Sequence, residues 1–292
     1  MNDTLTLLLA NHRLRIDGAR ECGLIARIPG FPVFVVPAGE AGAAEWHIAF
    51  GREVTLPEER EELYHFDFED GCYSDHLYRT ADAYYYEIGA AGHPQLLMCY
   101  RGGDTIEATH TEDVTNLRFA LWVAFSMLAS RSRIVMIHSS VVVHRDKAVL
   151  FLGESGTGKS THTSLWLKHI ADAHLLNDDG PILAIEEGVP VVYGSPWSGK
   201  THCYHQRRYP LAAAVRLSQA PYNRIERLDV LRAFGALQPS CPPALAQDEA
   251  FADNMVEVIS DVIAAVPVFH LECLPDEAAA RMSREAIFPA EG

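Results

Sequence analysis

The stretch Ala148-Val149-Leu150-Phe151-Leu152-Gly153-Glu154-Ser155-Gly156-Thr157-Gly158-Lys159-Ser160-Thr161 decides how the rest of the chain is read. Its apolar first half predicts a buried strand, and residues 161–170 predict a helix. Between them lies a glycine-rich loop in which the pattern G-x-x-x-x-G-K-[ST], the Walker A form, is complete over 153–160. Each part has a physical reason. Glycines let main-chain N–H groups approach and cradle phosphate oxygens, and a helix N-terminus adds its positive dipole end. Gly153, Glu154, Ser155, Gly156, Thr157, Gly158, Lys159, Ser160 and Thr161 are therefore the candidate phosphate-binding residues. Lys159 is a point charge for the outer phosphates, and the Ser160 hydroxyl is a hard ligand suited to Mg²⁺.

Outward from the loop, the next signal is Asp178-Asp179, directly after Leu175-Leu176-Asn177. Phosphoryl transfer needs a carboxylate near Mg²⁺ and often one near the attacking oxygen. Neighbouring residues at a strand end point to opposite sides, so the pair can divide these roles. The same letters also spell a plain Asp-Asp-Gly-Pro turn, because all three residue types favour turns. Downstream, Pro196-Trp197-Ser198-Gly199-Lys200 forms a loop in which Lys200 can clamp phosphate and Trp197 can line a pocket. Arg207, Arg208, Arg216, Arg224 and Arg227 follow, and any one could neutralise transition-state charge. His202, Cys203 and His205 lack a fourth ligand at zinc spacing. His162, at the start of the helix, is expected to be exposed.

His138-Ser139-Ser140-Val141, the loop 153–160 and Asn177-Asp178-Asp179, in that order, resemble the catalytic core of HPr kinase/phosphorylase. That core is in turn similar to the nucleotide-binding half of phosphoenolpyruvate carboxykinase. The resemblance covers about 133–199, and residues 194–200 stand where that family carries its signature loop. It implies an α/β fold, a carboxykinase/HPr kinase-like P-loop domain; the strand candidates before residue 113 add a smaller β-rich domain ahead of it. It implies ATP and Mg²⁺ as cofactors, with the triphosphate held by Lys159 and the loop amides. Asp178 would be the general base toward a hydroxyl acceptor, Asp179 would join Ser160 on the metal, and His138 would orient or tune the acids. The acceptor would be a protein or peptide serine or a small molecule, and the relatives' oligomers imply a homo-oligomer. A nucleotide-binding regulatory module with little turnover, and a carboxykinase-like lyase, are the competing readings.

The flanks fit a domain boundary just before residue 113, giving 1–112 and 113–292. Strands are expected over 24–28, 33–36, 46–50, 83–88 and 95–100, punctuated by Pro and Gly. The acidic run 58–62 reads as a solvated face or helix end, and Tyr84-Tyr85-Tyr86 as packing on both sides of a sheet. Helical spacing of Leu117, Leu121, Phe125 and Leu128 predicts a buried helix over 113–130. Strands follow at 134–137, 139–143 and 147–152, then a hairpin of 182–185 with 189–193, and a strand over 211–217. Helices are expected over 224–235 and 251–265, a strand over 266–271, and a last helix opening near Pro275-Asp276-Glu277.

The chain has 292 residues, of which 48% are hydrophobic and 22% charged, enough to bury a full core. Its formal charge of −15 argues against a nucleic-acid or anionic-membrane surface, so any anion site must be local. The six cysteines are scattered without a C-x-x-C pair, which suits a reduced compartment. Residues 5–10 are too short, and lack the basic leader, for an export signal. The apolar stretch 119–129 is too short to span a bilayer. The expectation is a cytoplasmic enzyme.

Overall fold

The computed structural model describes residues 3–40, 42–68, 71–90, 93, 95–199 and 201–289. The chain divides into two compact units, Met1–Ala129 with Ala244–Phe251, and Ser130–Pro243 with Ala252–Gly292. No helix among the described residues is long and apolar enough to cross a membrane.

The first unit opens with a hairpin, β1 (Thr4–Leu9) and β2 (His12–Asp17), closed by Ala10 and Asn11 at positive φ. Two positive-φ residues give a turn whose twist matches the strands it joins. Two short helices follow, α1 (Ala19–Ile25) and α2 (Phe31–Phe34). Strands were expected over 24–28 and 33–36; the structure corrects both. Cys22, Ile25, Ile28, Phe31 and Phe34 are all buried and recur every third residue, which is a helical rather than a strand period. Next come β3 (Trp46–Ala49), β4 (Glu61–Asp67), β5 (Tyr73–Arg79), β6 (Tyr84–Ala90), β7 (Leu96–Tyr100) and β8 (Thr105–Ala108). The sheet order is β1-β2-β3-β8-β7-β6-β5-β4. The acidic run thus ends in an edge strand, where Glu61 and Glu62 are exposed. Charges on an edge discourage pairing with another chain. The buried helix α3 (Val114–Leu128) starts at Asp113, whose carboxylate caps the Thr115 and Asn116 amides. Asp248, in the returning segment, accepts from Tyr84 Oη at 2.8 Å and pairs with Arg79.

The second unit contains β9 (Ile134–Met136), β10 (Ser139–His144), β11 (Lys147–Leu152), α4 (Lys159–His169), β12 (His174–Asp179), β13 (Ile182–Glu186), β14 (Val189–Tyr193) and β15 (Arg208–Gln219). It continues with β16 (Arg224–Arg227), α5 (Val230–Leu237), α6 (Glu249–Ala265), β17 (Val268–Cys273) and α7 (Glu277–Ile287); the first turn of α6 is counted with the first unit. This is an α/β unit with a mixed sheet of order β12-β10-β11-β15-β14-β13-β9. β17 adds to β15, and β11, β15 and β17 run parallel. The helix expected over 224–235 is corrected: β16 pairs antiparallel with β17, and the helix begins only after Asp229, which caps Arg232 N.

Ala148, Val149, Leu150, Phe151 and Leu152 are wholly buried, as a strand covered on both faces requires. Trp166 of α4 packs on Phe151 with ring centroids 5.7 Å apart and donates to Ser283 of α7 at 2.9 Å. His162 is not exposed as expected; it is buried beside Phe151 with Nε2 3.1 Å from Ser283 Oγ. Burial lowers its pKa from 6.5 to about 4. Between those values the unfolded chain binds a proton that the folded chain refuses. The contribution is therefore complete above pH 6.5 and is lost as pH falls toward 4. Urea unfolding at pH 5 should show about 2 kcal/mol less stability from this residue than at pH 7.5. A His162→Gln chain should show a correspondingly shallower pH dependence.

Candidate active site

Strand register brings three distant segments to one end of the sheet. Phe151 of β11 lies opposite Ser140 of β10, and Ser140 lies opposite Asp178 of β12. The loop leaving β11 therefore emerges beside the acids that end β12, and His138 stands just before β10. The loop enters α4 through Gly158, whose φ of 100° is a left-handed conformation that a side chain would strain.

Lys159 Nζ donates to Gly153 O at 2.7 Å and Glu154 O at 3.1 Å. Burial pulls its pKa down; Asp179 and Asp178 push it up, and Arg216 pulls it down again. The ammonium thus stands among two carboxylates and a guanidinium. Arg216 lies in β15 opposite Leu152 and reaches Glu154 Oε1 at 3.5 Å. Ser155, Gly156, Thr157 and Thr161 form the rest of the loop and the first turn, with Thr157 Oγ1 donating to Glu154 O at 2.8 Å.

The two acids occupy different environments. Asp178 is 6% exposed. Its Oδ1 accepts from Ser140 Oγ at 2.7 Å and from the loop's Ser160 Oγ at 3.0 Å. Its Oδ2 is buried without a hydrogen-bond partner among the described residues. Asp179 is more open, with Oδ1 3.2 Å from His138 Nδ1, and these two side chains are 36% and 47% exposed. The geometry therefore joins Ser160 to Asp178 and His138 to Asp179.

Asn177 sets this division. Its Oδ1 accepts from the amides of Asp179 and Gly180, both at 3.0 Å, which bends the chain sharply at the strand end. Its Nδ2 donates to Trp197 O at 3.0 Å, tying in the segment after β14. Ser195, wholly buried, donates to Gly180 O at 2.5 Å and accepts from Trp197 N at 3.1 Å. Trp197 itself is buried, and Lys200 lies outside the described residues. Gly199 N donates to Asp178 O at 3.1 Å, and a Cβ on Gly199 would stand only 2.8 Å from that oxygen. Ser195→Ala leaves Gly180 O and Trp197 N short of a buried partner. Urea unfolding should register a loss of about 1–3 kcal/mol.

Sequence reasoning gave no role to Ser140, Asn177 or Ser195. Hydroxyls at Ser139 and Ser140 opening an otherwise apolar strand were the visible signal. Asn177 was visible only as the letter before the acids. Cys203 is buried with Sγ 3.5 Å from Leu175 O. In the first unit, Glu62, His65 and His76 place ligand atoms within 4.8 Å of one another. The two imidazoles stack nearly parallel at 4.3 Å, however, so their in-plane lone pairs do not converge.

No family model matches the chain, and no curated protein matches it. Among solved structures it is similar to the Hpr(Ser) kinase/phosphatase from Coxiella burnetii, at 14% identity and a TM-score of 0.29, over 52% of this chain and 97% of that one.

Proposed function

We propose that the chain is an ATP- and Mg²⁺-dependent kinase that transfers the γ-phosphate to a hydroxyl, on a protein or peptide serine or on a small molecule. The observation that carries this reading is the bond between the loop's Ser160 and the buried Asp178, whose second oxygen has no donor among the described residues. A buried carboxylate oxygen without a partner is costly, and a hard cation satisfies it. Ser160 and Asp178 thus fit Mg²⁺, which when bound would neutralise phosphate charge.

The remaining work falls to the chain's own groups. Loop amides and Lys159 hold the phosphates, with Lys159 exchanging its carbonyl partners for phosphate oxygens. A general base must be reachable by the acceptor. Asp179 is half-exposed and Asp178 is not, so the base is Asp179, the reverse of the division that the family resemblance implies. The acceptor's proton passes to the Asp179 carboxylate, and His138 orients that group. The acceptor oxygen bonds to the γ-phosphorus as the bond to the β–γ bridging oxygen breaks, and ADP leaves.

The test is transfer from γ-labelled ATP to fractionated cell extract by the purified chain, wild type beside Lys159→Ala. Label appearing on a hydroxyl only with the wild type supports the reading. An ATP-saturated chain that labels nothing points instead to a regulatory nucleotide-binding module.

A further inference from the structure

β11, β15 and β17 run parallel toward the same edge of the sheet, where β11 ends at Leu152, opposite Arg216, and β15 and β17 run on to Gln219 and Cys273. Ligands of α/β sheets bind in crevices outside the carboxyl ends of such strands. A cavity of about 650 Å³ lies there, on the side of the glycine-rich loop away from the aspartates. Gly156 and Gly158 form one rim; Leu217, Pro221, Cys273 and Leu274 line the opposite wall. Both walls are braced. Gln219 Nε2 donates to Gly156 O at 3.1 Å. Asn223 accepts from Leu274 N at 2.8 Å and donates to Asp276, which caps α7. None of the lining residues is an Asp, Glu, Lys or Arg.

The loop therefore separates two unlike surroundings. One side has carboxylates, hydroxyls and Lys159; the other is a largely apolar cleft without carboxylates, ammonium or guanidinium groups, wide enough for a heterocycle. We infer that this cleft takes the nucleoside of a nucleoside triphosphate, laying the base and ribose against the Leu217, Pro221 and Cys273 wall while the outer phosphates reach the aspartates. This rests on the nucleotide reading above and adds the direction in which the nucleotide lies across the loop.

Cys273 provides a direct reporter. Cys22, Cys99, Cys203 and Cys241 are buried, whereas Cys273 is partly exposed on the cavity wall and Cys72 is exposed elsewhere. The experiment alkylates the full chain at pH 8.5 and follows Cys273 and Cys72 by peptide mass spectrometry, with ATP and with inorganic tripolyphosphate. Calorimetry establishes saturation by each. ATP is expected to slow Cys273 alkylation at least tenfold and leave Cys72 unchanged, whereas tripolyphosphate leaves both unchanged. Ala220→Trp, which fills the cleft, is expected to weaken ATP at least tenfold and tripolyphosphate less than twofold. Saturating ATP that leaves Cys273 as reactive as before, or equal protection by tripolyphosphate, overturns the inference while the nucleotide reading stands. Absence of ATP binding in the calorimeter overturns both.

Discussion

Asp179→Asn is expected to lower phosphate transfer by roughly 10²–10⁴-fold while MgATP affinity stays within about threefold. The amide has nearly the shape of the carboxylate but cannot take the acceptor's proton. Asp179 sits beside His138 at 3.2 Å on the open side of the strand end, where an acceptor can reach it. Asp178→Asn should behave differently. Asp178 accepts hydroxyls from Ser140 and Ser160 and is buried, so its loss should appear first as a higher Mg²⁺ requirement and weaker nucleotide binding. Single-turnover transfer and equilibrium binding, measured on both variants, separate the two roles. If Asp178→Asn abolishes transfer with binding intact and Asp179→Asn does not, the roles divide as in the family resemblance.

Lys159→Ala is the second large effect. The ammonium is partly desolvated, and the two aspartates hold it charged against that cost. Removing it leaves the triphosphate without its compact cation in a chain of formal charge −15. Truncating one partner of a desolvated charge pair costs about 2–5 kcal/mol, so MgATP binding should weaken on the order of 10²–10³-fold. Lys159→Arg should not restore it, because the planar guanidinium is bulkier and cannot occupy the space between Gly153 O and the helix start. Circular dichroism and urea unfolding should show the variant folded, since Lys159 supports no core packing.

How much of this was legible in the sequence depends on the length of the pattern. The run 148–152, the loop and its helix follow from local periodicity and glycine placement, and the structure has them. The helices at 114–128 and 249–265 were legible from their stripes of apolar residues, and the one at 277–287 from its Pro275-Asp276-Glu277 opening. The segments 24–28 and 33–36 were misread because their apolar residues cluster like short strands, while the structure places Ile25 and Phe34 on two short helices joined by a turn. Residues 224–227 were misread as helix because a four-residue strand carries no period of its own; only its partner β17 makes it one. At the site, the letters Asp178-Asp179 announced two carboxylates but not which was buried. That depends on the Asn177 side chain turning the strand end and on Ser140 arriving from β10, both long-range facts of register. His162 looked exposed because its partner Ser283 lies on the last helix, far along the chain.

The central claim is that the loop 153–160, with Asp178, grips a magnesium-bound triphosphate. It is tested most directly by calorimetric titration of ATP into the purified chain, with Mg²⁺ and with EDTA, beside Lys159→Ala. One-site saturable binding in the range of about 1 μM to 1 mM is expected, weakened by EDTA and lost in the variant. Absence of saturable binding by the wild type, or equal affinity in Lys159→Ala, would contradict it.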